Sequence, residues 1–163
     1  MKKGIISALS ALAGAAVGVG AVEKVERANL SKMKALSDKH FALYCMMNEW
    51  VKIKQKDKSI ADYLEGQGYK KIAIYGMNYV GETLLSELEN TNVKVMYAID
   101  QDAANIYADV EVVSPEDRFA EVDAVIVTPI TFFKEIKGRI STKMDCPIIS
   151  MDDILYEIKT LSV

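Results

Sequence analysis

The chain has 163 residues, half of them apolar, and a formal net charge of -3 from 20 basic and 23 acidic side chains. That length suits one α/β domain with an accessory segment, and the balanced charge excludes the strongly basic surface of a nucleic-acid-binding protein. Cys45 and Cys146 lie far apart, with no Cys or His beside them at metal-ligand spacing, and read as two buried free thiols.

No residue from Gly4 to Val22 is charged, and Lys2 and Lys3 precede the stretch. As a helix it would span about 28 Å, close to the roughly 30 Å of a bilayer core. The segment 1–22 therefore reads as a membrane anchor, although Gly, Ala and Ser weaken its hydrophobicity. A cleaved signal peptide, with Val19-Gly20-Ala21 at the cleavage site, and a peripheral helix are the alternatives. Lys24, Arg27, Lys32, Lys34 and Lys39 follow it, which places the rest of the chain on the cytoplasmic side, single-pass or peripheral; cleavage would instead give a secreted protein. Ser10, Gly14 and Gly18 repeat at the four-residue spacing that lets membrane helices approach.

Residues 23–58 form an accessory helical region. Ser37 is a candidate N-cap, and Leu43, Met46, Met47, Trp50 and Val51 then make one apolar helical stripe. The stripe must be covered, either by the following sheet and its helices or by a partner protein or second copy. His40, the only histidine, reads as structural or solvent-facing. Lys52, Lys54, Lys56 and Lys58 read as a solvated helix end or, under a membrane, as contacts to anionic headgroups. Ser59-Ile-Ala-Asp62 opens a short helix that Gly66 stops.

From residue 59 to 163 strands and helices alternate. Ile72–Tyr75 is a buried strand, Tyr79–Glu89 a helix and Val93–Ile99 a second strand, which together make a βαβ unit. Val110–Val113 is a weaker strand. Ser114-Pro115-Glu116-Asp117 predicts a helix start, with a cap, a first-turn proline and acids. Asp123–Thr128 is the fourth strand, and Thr128-Pro129 opens a helix through Ile140. Cys146–Ser150 is the fifth strand, and Ser150 to Asp153 caps the last helix. The pattern predicts a three-layer α/β domain whose mostly parallel sheet has the order 3-2-1-4-5.

Such sheets bind ligands outside the strand ends where the order reverses, here between the turn at Tyr75–Asn78 and the turn at Thr128-Pro129. The first turn reads Gly76-Met77-Asn78-Tyr79-Val80-Gly81, a dinucleotide fingerprint G-x-G-x-x-G with Asn78 in place of the middle glycine. That glycine lets a pyrophosphate touch the backbone, so NAD(P) in its usual pose is disfavoured. Asn78 either fills the site as an N-cap or donates to a phosphate or sugar displaced outward. Asp100, ending the second strand, stands where an acid accepts from ribose hydroxyls, or is a solvated turn acid.

The stretch from Ile60 to Tyr156 carries the entry Tyr69-Lys-Lys-Ile-Ala-Ile-Tyr-Gly76, the strand end Ala98-Ile99-Asp100 and the close Cys146-Pro-Ile-Ile-Ser-Met-Asp-Asp-Ile154-Leu. In these it resembles a bacterial Rossmann-like family found in surface-polysaccharide and sugar-modifying proteins. Its members include nucleotide-sugar-binding domains of sugar acyltransferases and Rossmann-like domains of methyltransferases. The resemblance implies a nucleotide or nucleotide sugar as ligand, held at Gly76, Asn78, Tyr79 and Asp100. Catalysis does not carry over, because no acyltransferase or methyltransferase domain follows in this sequence. No tyrosine has a lysine four residues on, as a short-chain reductase or epimerase would need. The candidate ligand-binding set is Gly76, Met77, Asn78, Tyr79, Gly81, Asp100, Thr128 and Pro129, with no catalytic or metal-ligating residue. A ligand-free interaction scaffold and a small NAD(P)-dependent sugar-nucleotide enzyme are the alternatives.

Overall fold

The computed structural model describes the backbone of residues 2–161 and the side chains of residues 24–161. The anchor, signal-peptide and helix-pairing expectations for residues 4–22 concern side chains outside those described. Among the described residues no helix is long and apolar enough to cross a membrane.

The chain divides into two units, Met1–Ala42 and Leu43–Val163. A single helix, α1, runs Lys2–Lys54, so Ser37 is an exposed mid-helix residue and caps nothing. Between Gly20 and Gly66 the sequence has no Gly or Pro, and a lone Ser costs too little helix propensity to break a run rich in Ala, Leu, Lys, Glu and Met. His40 is exposed on this helix. The helix ends at Lys54, and the turn that follows it closes with Asp57 at φ +54°.

In the second unit α1 is followed by α2 (Ile60–Gly66), β1 (Lys71–Tyr75), α3 (Tyr79–Leu88), β2 (Lys94–Ile99), β3 (Val112–Val113), β4 (Ala124–Val127), α4 (Phe133–Ile140), β5 (Ile148–Ser150) and α5 (Met151–Thr160). The five strands form a parallel sheet in the expected order, β3-β2-β1-β4-β5. Beyond the exposed Lys71 that opens β1, the central strands β1 and β4 are apolar and buried, as strands covered on both faces must be. The β1–β2 register shifts between Ile72 and Ala73, skipping Met96, whose side chain is exposed.

One face of the sheet carries Met46, Trp50 and Ile53 of α1 together with Leu64 of α2, Leu84 of α3 and Ile154 of α5. Leu43 and Met47 pack at its margin, whereas Val51 faces outward. The expected stripe is thus rotated by roughly 50° toward Ile53, and its cover is this chain's own core. Glu87 of α3 fixes the arrangement: its carboxylate accepts from the Trp50 indole at 2.6 Å and from the Ile60 amide at 3.2 Å, and pairs with Lys54 at 3.2 Å. Lys52 and Lys58 of the run are also engaged. Lys52 and Lys159 both hold Glu49, and Lys58 donates to the Ile158 carbonyl.

The other face carries α4 and a loop in place of the helix expected after Ser114. There the Asp117 carboxylate accepts from the Ser114 amide at 2.9 Å, and Pro115 is buried. The cap residues close a turn, because no helical apolar stripe follows them; Phe119 instead stacks on Tyr97, with ring centroids 6.3 Å apart. The Tyr97 hydroxyl donates to the Ala120 carbonyl at 2.7 Å, and burial pushes its pKa up to about 12. Cys146 is half-buried on this face and Cys45 is exposed on α1, so the expectation of two buried thiols fails for Cys45.

Candidate functional site

The carboxyl ends of β1, β2 and β4 bring together all eight residues of the candidate set. Gly76 leaves β1 with φ +94°, a conformation side chains rarely adopt. A Cβ at this position would lie 2.6 Å from the Pro129 ring and 2.8 Å from Thr128 Oγ1. Thr128, itself buried, donates its hydroxyl to the Gly76 carbonyl at 2.7 Å. The β1 and β4 turns are therefore latched together at the point where the strand order reverses. Any ligand must lie above this latch.

Gly81 has its own packing role. Added there, a Cβ would come within 2.1 Å of the Gly76 carbonyl oxygen, so glycine lets the first turn of α3 lie against the turn that precedes it. The Met77 side chain is buried beside it. Both fingerprint glycines thus have a structural task independent of any phosphate.

Asn78 is the N-cap of α3. Its side-chain oxygen accepts from the Val80 amide at 3.0 Å, while the residue as a whole stays exposed. The cap leaves the Asn78 amide NH2 open to solvent. Tyr79, next to it, is 84% exposed. Asp100 joins the turn from β2. One carboxylate oxygen accepts from the Met77 amide at 2.8 Å and the other from the Asp102 amide at 3.0 Å. Asp100 therefore clasps two loops, and only its remaining lone pairs are uncommitted.

The helix expected from Thr128 begins later. Ile130–Phe132 forms one 3-10 turn and α4 starts at Phe133. Similarly, Ser150 lies at the N-cap of α5 but its hydroxyl donates to Asp152 instead of accepting from the backbone. The first turns of α4 and α5 bound a cavity of about 350 Å³, lined by Thr131, Phe132, Lys134, Glu135, Asp152 and Asp153 among others. Sequence reasoning treated these residues only as parts of the two helices. The signal it passed over was the density of polar side chains at two adjacent strand ends.

Another unforeseen feature is the Tyr75 hydroxyl, which is buried near Gln101 and Arg139 without a hydrogen bond of good geometry to either. Burial pushes its pKa up. No group of three His, Cys, Asp or Glu residues able to hold a metal occurs among the described residues.

No curated protein and no solved structure matches the chain. A family model described as C2185-like, N-terminal, matches residues 68–159, a span from the turn before β1 into the last turn of α5 that holds the whole candidate set. With more than half its length matched, the chain belongs to the C2185-like family through this N-terminal domain.

Proposed function

We propose that the protein is a binding module for a nucleotide or nucleotide sugar, of Rossmann-like type, which holds its ligand without transforming it. The observation that carries this reading is the exposed pair Asn78 and Tyr79 at the start of α3, beside Asp100 and above the latched turns. The Tyr79 ring offers a face for a base, the Asn78 amide donates to a phosphate or sugar oxygen, and the first turn of α3 favours negative charge. A dinucleotide in the usual pose fits this reading poorly, because Asn78 carries a side chain where the backbone would have to approach the pyrophosphate. The likeness to polysaccharide-associated domains suggests surface-polysaccharide metabolism as the setting. An uncharged segment 4–22 followed by basic residues suggests attachment to the cytoplasmic side of the membrane.

The test is thermal unfolding of the full chain against a panel of nucleoside mono- and diphosphates and nucleotide sugars. At a hundredfold excess over Kd a true ligand stabilises by about 2.7 kcal/mol. Tyr79→Ala is the informative variant, since an exposed ring can be removed without loosening the fold; it should abolish the shift. Asp100→Ala is less clean because it also unclasps two loops. A flat panel would refute the reading and favour the ligand-free scaffold, which the internal bonding of Asp100 also fits.

A further inference from the structure

We infer that the cavity between the first turns of α4 and α5 is a subsite for a polyhydroxylated group, the sugar of a nucleotide sugar whose nucleotide lies over the Gly76 turn. This rests on the binding function proposed above and adds where and how the sugar is held.

The location follows from the topology. Helix α4 descends on one face of the sheet and α5 on the other, so the chain leaves the paired ends of β4 and β5 in opposite directions and a crevice opens between the helix starts. The crevice adjoins the latch. Pro129 abuts Gly76, and Ile130, the next residue, lines the cavity. A ligand over the Gly76 turn would thus lie next to it. The volume of about 350 Å³ lies within the range of small-molecule pockets, roughly 300–1,000 Å³.

The lining selects the chemistry. Asp152, Asp153 and Glu135 outnumber Lys134, which opposes a phosphate or carboxylate and suits hydroxyl or ammonium donors. Carboxylates accept from adjacent hydroxyls, and the half-exposed Phe132 ring presents a flat apolar face to the C–H side of a pyranose. Ser150 holds Asp152 in place through its hydroxyl. Asp153 is exposed at the mouth of the crevice, where desolvation and the neighbouring Asp152 and Glu157 raise its pKa against the opposing influence of Lys137. A carboxylate crowded in this way gains from a donor brought by a ligand.

The experiment is isothermal titration of the full chain with UDP, GDP and ADP and with UDP-glucose, GDP-mannose and ADP-glucose. The sugar conjugate should bind about tenfold more tightly than the bare nucleotide of the same base. Asp153→Asn and Phe132→Ala should erase that difference while leaving the bare nucleotide's affinity unchanged. Equal affinities of conjugate and bare nucleotide in the wild type, or an equal loss for both in the variants, overturns the subsite. If no nucleotide binds, the two ideas are separated by titrating glucosamine and glucose and following backbone amide NMR signals. Saturable shifts confined to residues 130–135 and 150–153 support the subsite without the nucleotide, and unshifted signals there overturn it.

Discussion

Replacing Gly81 by alanine sets two physical effects against each other, and the structure decides which is larger. Gly81 lies in the first turn of α3, where alanine should favour the helix by about 1 kcal/mol. The new Cβ would, however, sit 2.1 Å from the Gly76 carbonyl oxygen, where real Cβ contacts stay above 3.0 Å. That carbonyl cannot swing aside, because Thr128 donates to it and Gly76 itself is pressed against Pro129. Relief therefore requires α3 to lift by about 1 Å from the sheet, disturbing Val80 and Leu84, an overpacking cost of about 1–3 kcal/mol. The upper half of that range exceeds the propensity gain, and we expect a net loss of about 1–2 kcal/mol, or roughly 2–8 °C in Tm. Gly138→Ala is the matched control. It sits within α4 with nothing within 4 Å of the added methyl, so only propensity acts and stability should rise by about 0.5–1 kcal/mol. Both are measured by urea and thermal unfolding of the full chain followed by Trp50 fluorescence. If Gly81→Ala is as stable as the wild type, the close approach of α3 to the Gly76 turn is wrong, and with it the latched geometry of the site.

Glu87→Ala should destabilise by about 1.5–3 kcal/mol, since it strands the buried Trp50 indole N–H and the Ile60 amide; a change under 0.5 kcal/mol in urea unfolding would show that the clasp is not made. Tyr75→Phe removes a buried hydroxyl that makes no hydrogen bond of good geometry and should leave stability unchanged or raise it by about 1 kcal/mol, and a clear loss of Tm would reveal a partner for that hydroxyl. Hydrogen bonds from Lys159 and Lys52 hold the Glu49 carboxyl at about 2, so its folded-state pKa is depressed. Its contribution is present above the ordinary carboxylate pKa of 4.5 and is lost as pH falls toward 2; Glu49→Gln should flatten the stability profile in that window, and an unaltered acid limb would contradict the pairing.

The sheet was legible because its signals are local and repeated. Ile72–Tyr75 and Ala124–Val127 are continuous apolar runs of strand length, and Asn78 and Ser59 are caps whose side chains do accept from the amides two and three residues on. The same cap reasoning misread Ser37 and Ser114. A cap residue reports only that a helix start would be satisfied there; whether one forms depends on what lies on either side. From Gly20 to Ser37 the chain is already helical with no breaker between them, and after Ser114 there is no apolar stripe to bury, so the polar side chains bond within a turn. The register of the α1 stripe was also missed in part, because Ile53 and Val51 are equally apolar and the helix sequence alone does not say which of them meets the core.

At the candidate site the sequence located the turns and left their internal bonding hidden. Gly76, Thr128 and Pro129 lie 52 and 53 residues apart in the chain, and nothing in either turn announces that a threonine hydroxyl of one closes on a carbonyl of the other. That latch changes what the imperfect fingerprint means. In a dinucleotide site the middle glycine keeps the backbone open to a pyrophosphate. Here the turn satisfies itself, with Gly76 bonded to Thr128, Met77 to Asp100 and Val80 to Asn78. A ligand consequently gains little from the backbone of the turn and must be recognised by what stands proud of it, Asn78 and Tyr79 above the latch and the acidic crevice beside Pro129. Specificity would then reside in side chains, which predicts that Tyr79→Ala abolishes binding while the fold, held by the latch, keeps its Tm.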